Sequence, residues 1–448
     1  METSSKFSHS ITHISSSILD APPSCLEFVP REYDPGCEYF VVGTYTLLEG
    51  GNQSTEDGEE NKPGDEDVRQ EQKPQEKIGG LKLFKIDHDK VTLVQELAYQ
   101  SAIFDLHFLP GSPNFGVVTN TGDISVFKFI KNEKGGSGFE HIATHHLIDA
   151  QITYFAWYPY NQGNPPLFAA TLHTGKLLLV RFGDWDFKKV EILDDEERTL
   201  TNTYGHEESA WCCAWSPFSS NPTPGHSGKT ILSGGDDGKL LLFNMSVAPI
   251  LPNSSVSINT EFDLLDTGRR VFKPHDSGVT FILPLPVSNS DVACILLTGG
   301  YDDYVRVYTT YDFRANASTY TRPRVLAELN LGGGVWRLKY LHDYEKQKKQ
   351  NNGSQLTRFR ILASCAWAGA RILEIEGTLT GQWCIKVVGS VTIHQSMCYA
   401  SDVKPLENED ETQNPRICVS SSFYDKLLCL WKWDPVQADV EATSDYLG

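Results

Sequence analysis

One unit recurs along this chain and narrows what it can fold into: an apolar strand, a loop, a second apolar strand ending in small residues, a tight turn built on Asp or Gly, then an alternating third strand. Its clearest copy is Ala210–Trp215 followed by Ile231-Leu232-Ser233-Gly234-Gly235-Asp236-Asp237-Gly238 and Lys239–Phe243. Asp-Gly between apolar runs signals a hairpin, because Gly accepts the positive φ of a tight turn. Further copies are Phe115–Phe129 with Thr121-Gly122-Asp123, Leu167–Phe182 with His173-Thr174-Gly175, and Ile295–Tyr308 with Gly300-Tyr301-Asp302-Asp303. Ile361–Ile375 with Ala368-Gly369-Ala370 and Ile417–Trp433 with Phe423-Tyr424-Asp425 continue the series, and Tyr39–Leu47 with Gly80–Ile86 supplies one more, which makes seven.

The turns lie roughly 55 to 65 residues apart, longer than a WD blade of ~40–45, and polar loops such as Asn221–Gly228 and Lys346–Thr357 account for the excess. Four short strands per unit cannot bury both faces alone, whereas radial stacking buries them and closing the circle removes strand edges. The expected fold is therefore all-β, a seven-bladed WD-repeat β-propeller, with Phe7–Ile14 adding the outer strand of the last blade and closing the ring. Residues 1–434 are read as one domain and 435–448 as an acidic tail.

Composition adds limits. The formal net charge of −19 disfavours nucleic-acid binding, which needs a basic footprint. From Glu49 to Lys77 there are ten acidic and four basic residues with Val68 as the one branched apolar side chain, so 49–77 is read as a disordered acidic insert in the first blade. Met1–Ser10 has no apolar leader core and the longest apolar runs are strand-sized, so neither export nor a membrane span is expected. Ten cysteines occur without a C-x-x-C pair, and the adjacent Cys212 and Cys213 face opposite sides of a strand. They read as reduced packing residues of a cytoplasmic monomer, and neither a metal nor a cofactor is expected.

WD blades often link four side chains across the top: a His in the entering loop, a Ser or Thr ending the second strand, an Asp in the turn and a Trp in the third strand. Buried polar groups need partners, which is why such chains persist. Here His206–Ser233–Asp237 ends in Phe243, His275–Thr298–Asp302 ends in Tyr308, and His394–Ser421–Asp425–Trp431 is complete.

Several strings go beyond a generic propeller. Gly333-Gly334-Val335-Trp336-Arg337, Ser422-Phe423-Tyr424-Asp425 leading to Leu430-Trp431-Lys432-Trp433, and Gly43-Thr44-Tyr45 resemble the diphthine methyl ester hydrolases, also called diphthine methyltransferases. So do Ser233–Gly238 preceded by His206 and Ala210-Trp211, and Thr298–Asp302 preceded by His275; Ser101–Asp105 and Ser396–Asp402 match more weakly. Near Asp402 the family carries a Gly and a Trp where this chain has Ser401 and Val403. The resemblance implies a cytoplasmic step of diphthamide synthesis on translation elongation factor 2. An intermediate bearing a trimethylammonium and a methyl ester on a modified histidine would lose the ester methyl by hydrolysis, with water as co-substrate.

Ester hydrolysis needs an oxygen nucleophile, a base and donors for the developing oxyanion. The chain has no Gly-x-Ser-x-Gly elbow and no His-Glu-x-x-His, so any site is assembled from loops of different blades. His206, His275 and His394 are candidate bases or caps of their own Asp chains, and Asp237, Asp302 and Asp425 are orienters of a base or structural acceptors. Ser422 is a candidate nucleophile or a packing residue, and water activated by His or Asp is the alternative. A quaternary ammonium is best held by aromatic faces and carboxylates, which nominates Trp211, Tyr301, Trp336, Trp367 and Tyr424, each of which could equally be core. Arg337 reads either as a two-pronged donor to a carboxylate or carbonyl or as an inter-blade salt bridge. A non-catalytic scaffold or substrate receptor is the competing class, since most such propellers only recognise partners. A methyltransferase lacks support, because no glycine-rich nucleotide loop opens a helix after a strand.

Overall fold

Each recurring unit folds as an antiparallel meander whose turn lets the second and third strands pair residue for residue. The computed structural model describes residues 7–47, 77–131, 136–159, 165–193, 205–216, 227–247, 262–264, 270–287, 295–309, 323–341, 345–346, 356–378, 382–406 and 414–438. They form seven sheets, each with a four-strand meander. Blade 1 comprises Pro23–Phe28, Tyr39–Leu47, Lys77–Asp87 and Lys90–Tyr99, and blade 2 Ile103–Phe108, Asn114–Thr119, Asp123–Lys131 and Ser137–His146. Blade 3 is Ile152–Trp157, Leu167–Leu172, Leu177–Phe182 and Val190–Ile192. Blade 4 is Ala210–Trp215, Ser227–Gly235 and Leu240–Val247, with its outer position shared by Phe262–Leu264 and Arg270–Phe272. Blade 5 is Val279–Leu285, Ile295–Gly300, Tyr304–Thr309 and Arg324–Asn330; blade 6 is Val335–Tyr340, Leu356–Cys365, Gly369–Thr378 and Trp383–Val391. Blade 7 takes Ala400–Val403, Arg416–Ser421 and Leu427–Trp433 from the C-terminal part and Ile11–Ile18 from the N-terminal part.

The first strands of successive blades pack side by side all the way round, blade 7 against blade 1, so the chain is a closed propeller with these strands around the channel. Closure at the rim comes from Ile11–Ile18, paired antiparallel with Leu427–Trp433 from Ile11↔Trp433 to Ile18↔Leu427. This strand starts four residues later than the expected Phe7–Ile14; Phe7 instead bridges to Val391 of blade 6. Its polar middle, His13 to Ser17, suits an outer strand, and Ile11 is buried beside Trp433. Lys77, placed in the acidic insert from sequence, begins a strand; residues 48–76 lie outside the described residues. The first four residues of the expected tail, 435–438, form a helical turn that buries Ala438, and the rest of it lies outside them too.

Packing between blades is apolar and tight. Cys212 and Cys213 do face opposite neighbours, their thiols lying on the carbonyls of Val279 in blade 5 and Ala169 in blade 3. Every described cysteine is a free thiol.

The first strands share a distortion that matters for function. In six of seven the ladder slips by one residue near the start: after Pro23, Ile103, Ile152, Ala210, Val279 and Val335. The extra residue of such a bulge is re-aimed out of the pleat. In blades 1, 3 and 5 it is Ser24, Thr153 or Thr280, whose hydroxyl donates to the carbonyl of Ile103, Ala210 or Val335 in the next blade. In blades 2, 4 and 6 it is an aromatic, Phe104, Trp211 or Trp336, directly after that accepting carbonyl. Odd blades thus pin the backbone that aims the aromatic of the even ones.

Turn glycines carry the remaining constraint. Gly122 has φ +82°, and a Cβ there would meet the Ile148 carbonyl oxygen at 1.7 Å. Gly111, at φ +69°, has open space around it. Gly122→Ala should lower the unfolding free energy by about 2–4 kcal/mol in urea titration, whereas Gly111→Ala should cost only the backbone strain of about 1 kcal/mol.

Candidate active site at the mouth of the channel

The His–Asp chains are structural in blades 4 and 5. His206 Nδ1 lies 2.8 Å from Asp237 Oδ1 and its Nε2 3.0 Å from Ser233 Oγ. Asp237 also accepts the N–H groups of Glu207 and Lys239. Burial would raise this carboxyl, but the His206 ring and those donors outweigh it and hold it down to about 2. His275 repeats the arrangement on Asp302 at 2.8 Å and Thr298 at 2.9 Å, with Arg306 added on the far oxygen of Asp302 at 2.6 Å. Burial lowers the His275 pKa against the pull of Asp302. With side chains 1% and 0% exposed, neither imidazole reaches a substrate. Tyr308, in the Trp position, donates to the Pro274 carbonyl instead.

Blade 7 departs from the expected His394–Ser421–Asp425–Trp431 chain. His394 Nε2 meets Ser420 Oγ at 3.0 Å, and the Trp431 indole donates to that same oxygen at 3.0 Å. Asp425 does not touch His394; it accepts the Ser396 hydroxyl at 2.7 Å and the Gln395 N–H at 2.9 Å. The cause is turn length. Ser233 pairs with Leu241 and Thr298 with Arg306, whereas Ser420 pairs with Cys429, one residue farther along. The longer turn carries Asp425 away and leaves Ser421 bonded to the Ala400 carbonyl. Burial pulls His394 down to about 4. Ser422 is 0% exposed inside this turn, so it is not placed as a nucleophile.

The open chemistry lies instead in a continuous run of rings around the channel mouth. Phe104 of blade 2 stacks on Tyr45 of blade 1 at 5.3 Å, and Tyr45 meets Phe423 of blade 7 at 4.6 Å. Phe423 contacts Tyr424 at 5.1 Å and Tyr399 at 5.5 Å; Tyr399 contacts Trp336 of blade 6 at 4.9 Å. Trp336 then touches Tyr301 of blade 5 at 5.6 Å and Trp211 of blade 4 at 5.5 Å. Among the described residues six blades contribute, and blade 3, with Thr153 and its Gly175 turn, does not. Of the aromatics singled out from sequence, Trp211, Tyr301, Trp336 and Tyr424 join this run. Trp367 does not: it stands exposed in the blade 6 turn and, among the described residues, lacks the kind of ring contact that ties the equally exposed Tyr424 to Phe423. Tyr45, Phe104, Tyr399 and Phe423 are not among the sequence candidates, although all four stand in the strings that carry the resemblance.

A carboxylate faces the rings. Asp236, the neighbour of the buried Asp237, lies beside the Trp211 indole and Tyr301; a Cβ on Gly278 would sit 2.8 Å from Asp236 Oδ1 and 3.0 Å from Tyr301 Cδ2. Burial raises its pKa, with Glu208 and Asp237 adding to the rise and Trp211 and His206 opposing it. Burial likewise pushes the Tyr301 and Tyr399 phenols up, so both stay protonated donors at neutral pH.

Below the rings, one and three residues further along the same first strands, the channel holds a buried ion network. His107 lies between Glu27 at 2.7 Å and Asp105 at 3.2 Å, and Arg337 reaches Asp105 at 3.5 Å. Lys339 pairs with Asp402 at 3.1 Å, and Asp402 accepts the Phe28 N–H of blade 1 at 2.8 Å. Burial opposes the charge on His107, but Asp105 and Glu27 outweigh it and raise its pKa to about 9, so it is an imidazolium at pH 7. Three carboxylates against three cations keep the network neutral, which is what makes its burial tolerable. The Arg337 guanidinium also lies over Tyr154, Phe281 and Trp336 at 5.0, 5.7 and 5.3 Å. Arg337 thus makes the inter-blade salt bridge, while lining with Asp105, His107, Lys339, Tyr154 and Phe281 a cavity of about 230 Å³.

Comparison with known proteins agrees with this architecture. Residues 197–244 match the family WD40, described as WD domain, G-beta repeat. A chain of the mitotic checkpoint complex superposes with TM-score 0.52 at 11% identity, over 94% of this chain and 95% of the other. Saccharomyces cerevisiae Sqt1 does so with TM-score 0.51 at 11% identity, over 95% and 99%; likeness at this identity is one of fold. In sequence, the chain is 26% identical over 244 residues to a Schizosaccharomyces pombe protein named diphthine methyltransferase, covering 54% of this chain and 57% of that protein. The Homo sapiens protein of that name is 23% identical over 385 residues, 82% of this chain and 70% of its own length. The chain is a seven-bladed β-propeller similar in sequence to proteins named diphthine methyltransferase.

Two acid-sensitive sets hold this propeller together. His394 and His275 have folded pKa values below the ordinary 6.5, so their contribution is present above about pH 6.5 and lost as pH falls toward 4. Asp237 and Asp302 are depressed below 3.8, so theirs is lost only below about pH 4. In urea unfolding midpoints followed against pH, His394→Gln should shrink the decline between pH 6.5 and 4. Asp237→Asn should shrink the decline below pH 4 and cost about 2–4 kcal/mol at pH 7.

Proposed function

We propose that this chain hydrolyses the methyl ester of diphthine methyl ester on translation elongation factor 2, in the cytoplasm, giving diphthine and methanol as a step of diphthamide biosynthesis. The observation that carries this reading is the run of half-buried rings at the channel mouth, joined by the Asp236 carboxylate. A trimethylammonium cannot hydrogen-bond, so aromatic faces and a nearby negative charge are what recognise it. Relatives named diphthine methyltransferase support the same pathway. Water serves as co-substrate, and the elongation factor presents the modified histidine to the mouth.

A second reading, a scaffold or receptor that binds the modified factor without turning it over, is favoured by one observation: the imidazoles of His206 and His275, and the Ser233 and Thr298 hydroxyls beside them, are all buried in structural chains. Measuring methanol released from elongation factor 2 bearing methylated diphthine separates the two. The esterase reading expects turnover by the native protein and, for Trp336→Ala, a KM raised about 5- to 30-fold from loss of one strong cation–π face. Tight capture of the modified factor with no methanol at any enzyme concentration would leave the receptor reading standing.

A further inference from the structure

Resting on the reading that an ester is hydrolysed at this mouth, we propose that Asp236 is the group that accepts the proton of the attacking water. The placement follows from the turn of blade 4. Of the doublet Asp236-Asp237, the second carboxylate is consumed by His206 and two backbone N–H groups. The first is turned to the opposite side, its backbone fixed by the bond from its N–H to the Ser209 carbonyl at 2.8 Å. Its carboxylate stands among Trp211, Gly278 and Tyr301, where the rings hold the substrate. Blade 5 has the same geometry with a different side chain: Asp302 is consumed by His275, and the preceding Tyr301 faces the mouth.

The step balances without any further reactant. A lone pair of water forms the new C–O bond at the ester carbonyl while one O–H proton passes to Asp236. The tetrahedral oxyanion accepts a hydrogen bond from the Tyr301 phenol, which remains protonated. Collapse breaks the bond to methoxide, Asp236 returns its proton to that oxygen, and methanol leaves. The new carboxylic acid then loses its proton to solvent.

The groups that set the titration of Asp236 are Glu208 and His206 from the loop entering blade 4, Asp237 from its own turn, the Trp211 indole from the first strand, and Tyr301 from blade 5. Its raised pKa suits a base that must be ionised to act. Asp236→Asn, assayed for methanol release on methylated elongation factor 2, should lower kcat about 100-fold or more, with KM raised no more than about 30-fold by loss of the negative charge beside the rings. The acid limb of the native kcat/KM profile, where rate falls as Asp236 takes up a proton, should vanish in Asp236→Asn and persist in a slower Asp236→Glu. Because Asp236 lies outside the His206 chain, its variants should melt with the native protein, unlike Asp237→Asn. Full turnover in Asp236→Asn would overturn the proposal and leave the esterase reading intact, as would a loss confined to KM, which would make Asp236 a counter-ion. If Asp236→Asn fails to fold, absence of an acid limb in the native protein overturns it. A native protein that releases no methanol overturns both this assignment and the reading it rests on.

Discussion

The one-residue slip near the start of the inner strands is the constraint on which the rest of this molecule depends. A regular strand would point its side chains alternately into neighbouring blades and leave the channel mouth to backbone. The slip takes one residue out of the pleat in six of the seven strands, a hydroxyl that reaches the next blade in blades 1, 3 and 5 and a ring at the mouth in blades 2, 4 and 6. The hydroxyls of Ser24, Thr153 and Thr280 hold the carbonyls of Ile103, Ala210 and Val335, and the next residues are Phe104, Trp211 and Trp336. Scaffold and site are thus built by the same hydrogen bonds: what pins one blade to the next also aims a ring.

Beneath the rings, charge does a related job. Glu27, Asp105, His107, Arg337, Lys339 and Asp402 come from blades 1, 2, 6 and 7, the two sides of the ring closure. The outer strand Ile11–Ile18 closes the seam at the circumference, and Asp402 bonded to the Phe28 N–H closes it at the axis. The inner strand Ala400–Val403 is short and pairs without a slip, and this polar contact ties it to the next blade as the latching hydroxyls tie those of blades 1, 3 and 5. A base for ester hydrolysis is poorly served by this network, whose imidazole is already protonated at neutral pH. The mouth, where burial raises the pKa of the Asp236 carboxylate, is the better place.

The His and Asp residues most conspicuous in the sequence turn out to be spoken for. His206–Asp237 and His275–Asp302 were legible as chains because each is local to one turn and one entering loop. The blade 7 version was misread by one residue, Ser421 for Ser420, since an extra turn residue is invisible until strand register is known. Asp236 stood in plain view beside Asp237, but which member of an adjacent pair faces the mouth is a question of backbone direction. The chemistry of Trp336 and Trp211 marks them in the sequence, whereas nothing local marks Tyr45, Phe104, Tyr399 and Phe423, which meet only when blades 1, 2 and 7 close on one another.

Hairpin turns, strand alternation and a recurring unit act over a few residues, so the sequence alone determined the all-β class, the sevenfold count and the N-terminal strand in the last blade. Slip positions, turn length in blade 7 and the convergence of rings from six blades depend on how neighbouring sheets pack around a common axis. Those contacts join residues hundreds of positions apart. A single displaced residue flips a side chain from the core to the mouth, and only the closed ring decides which way it goes.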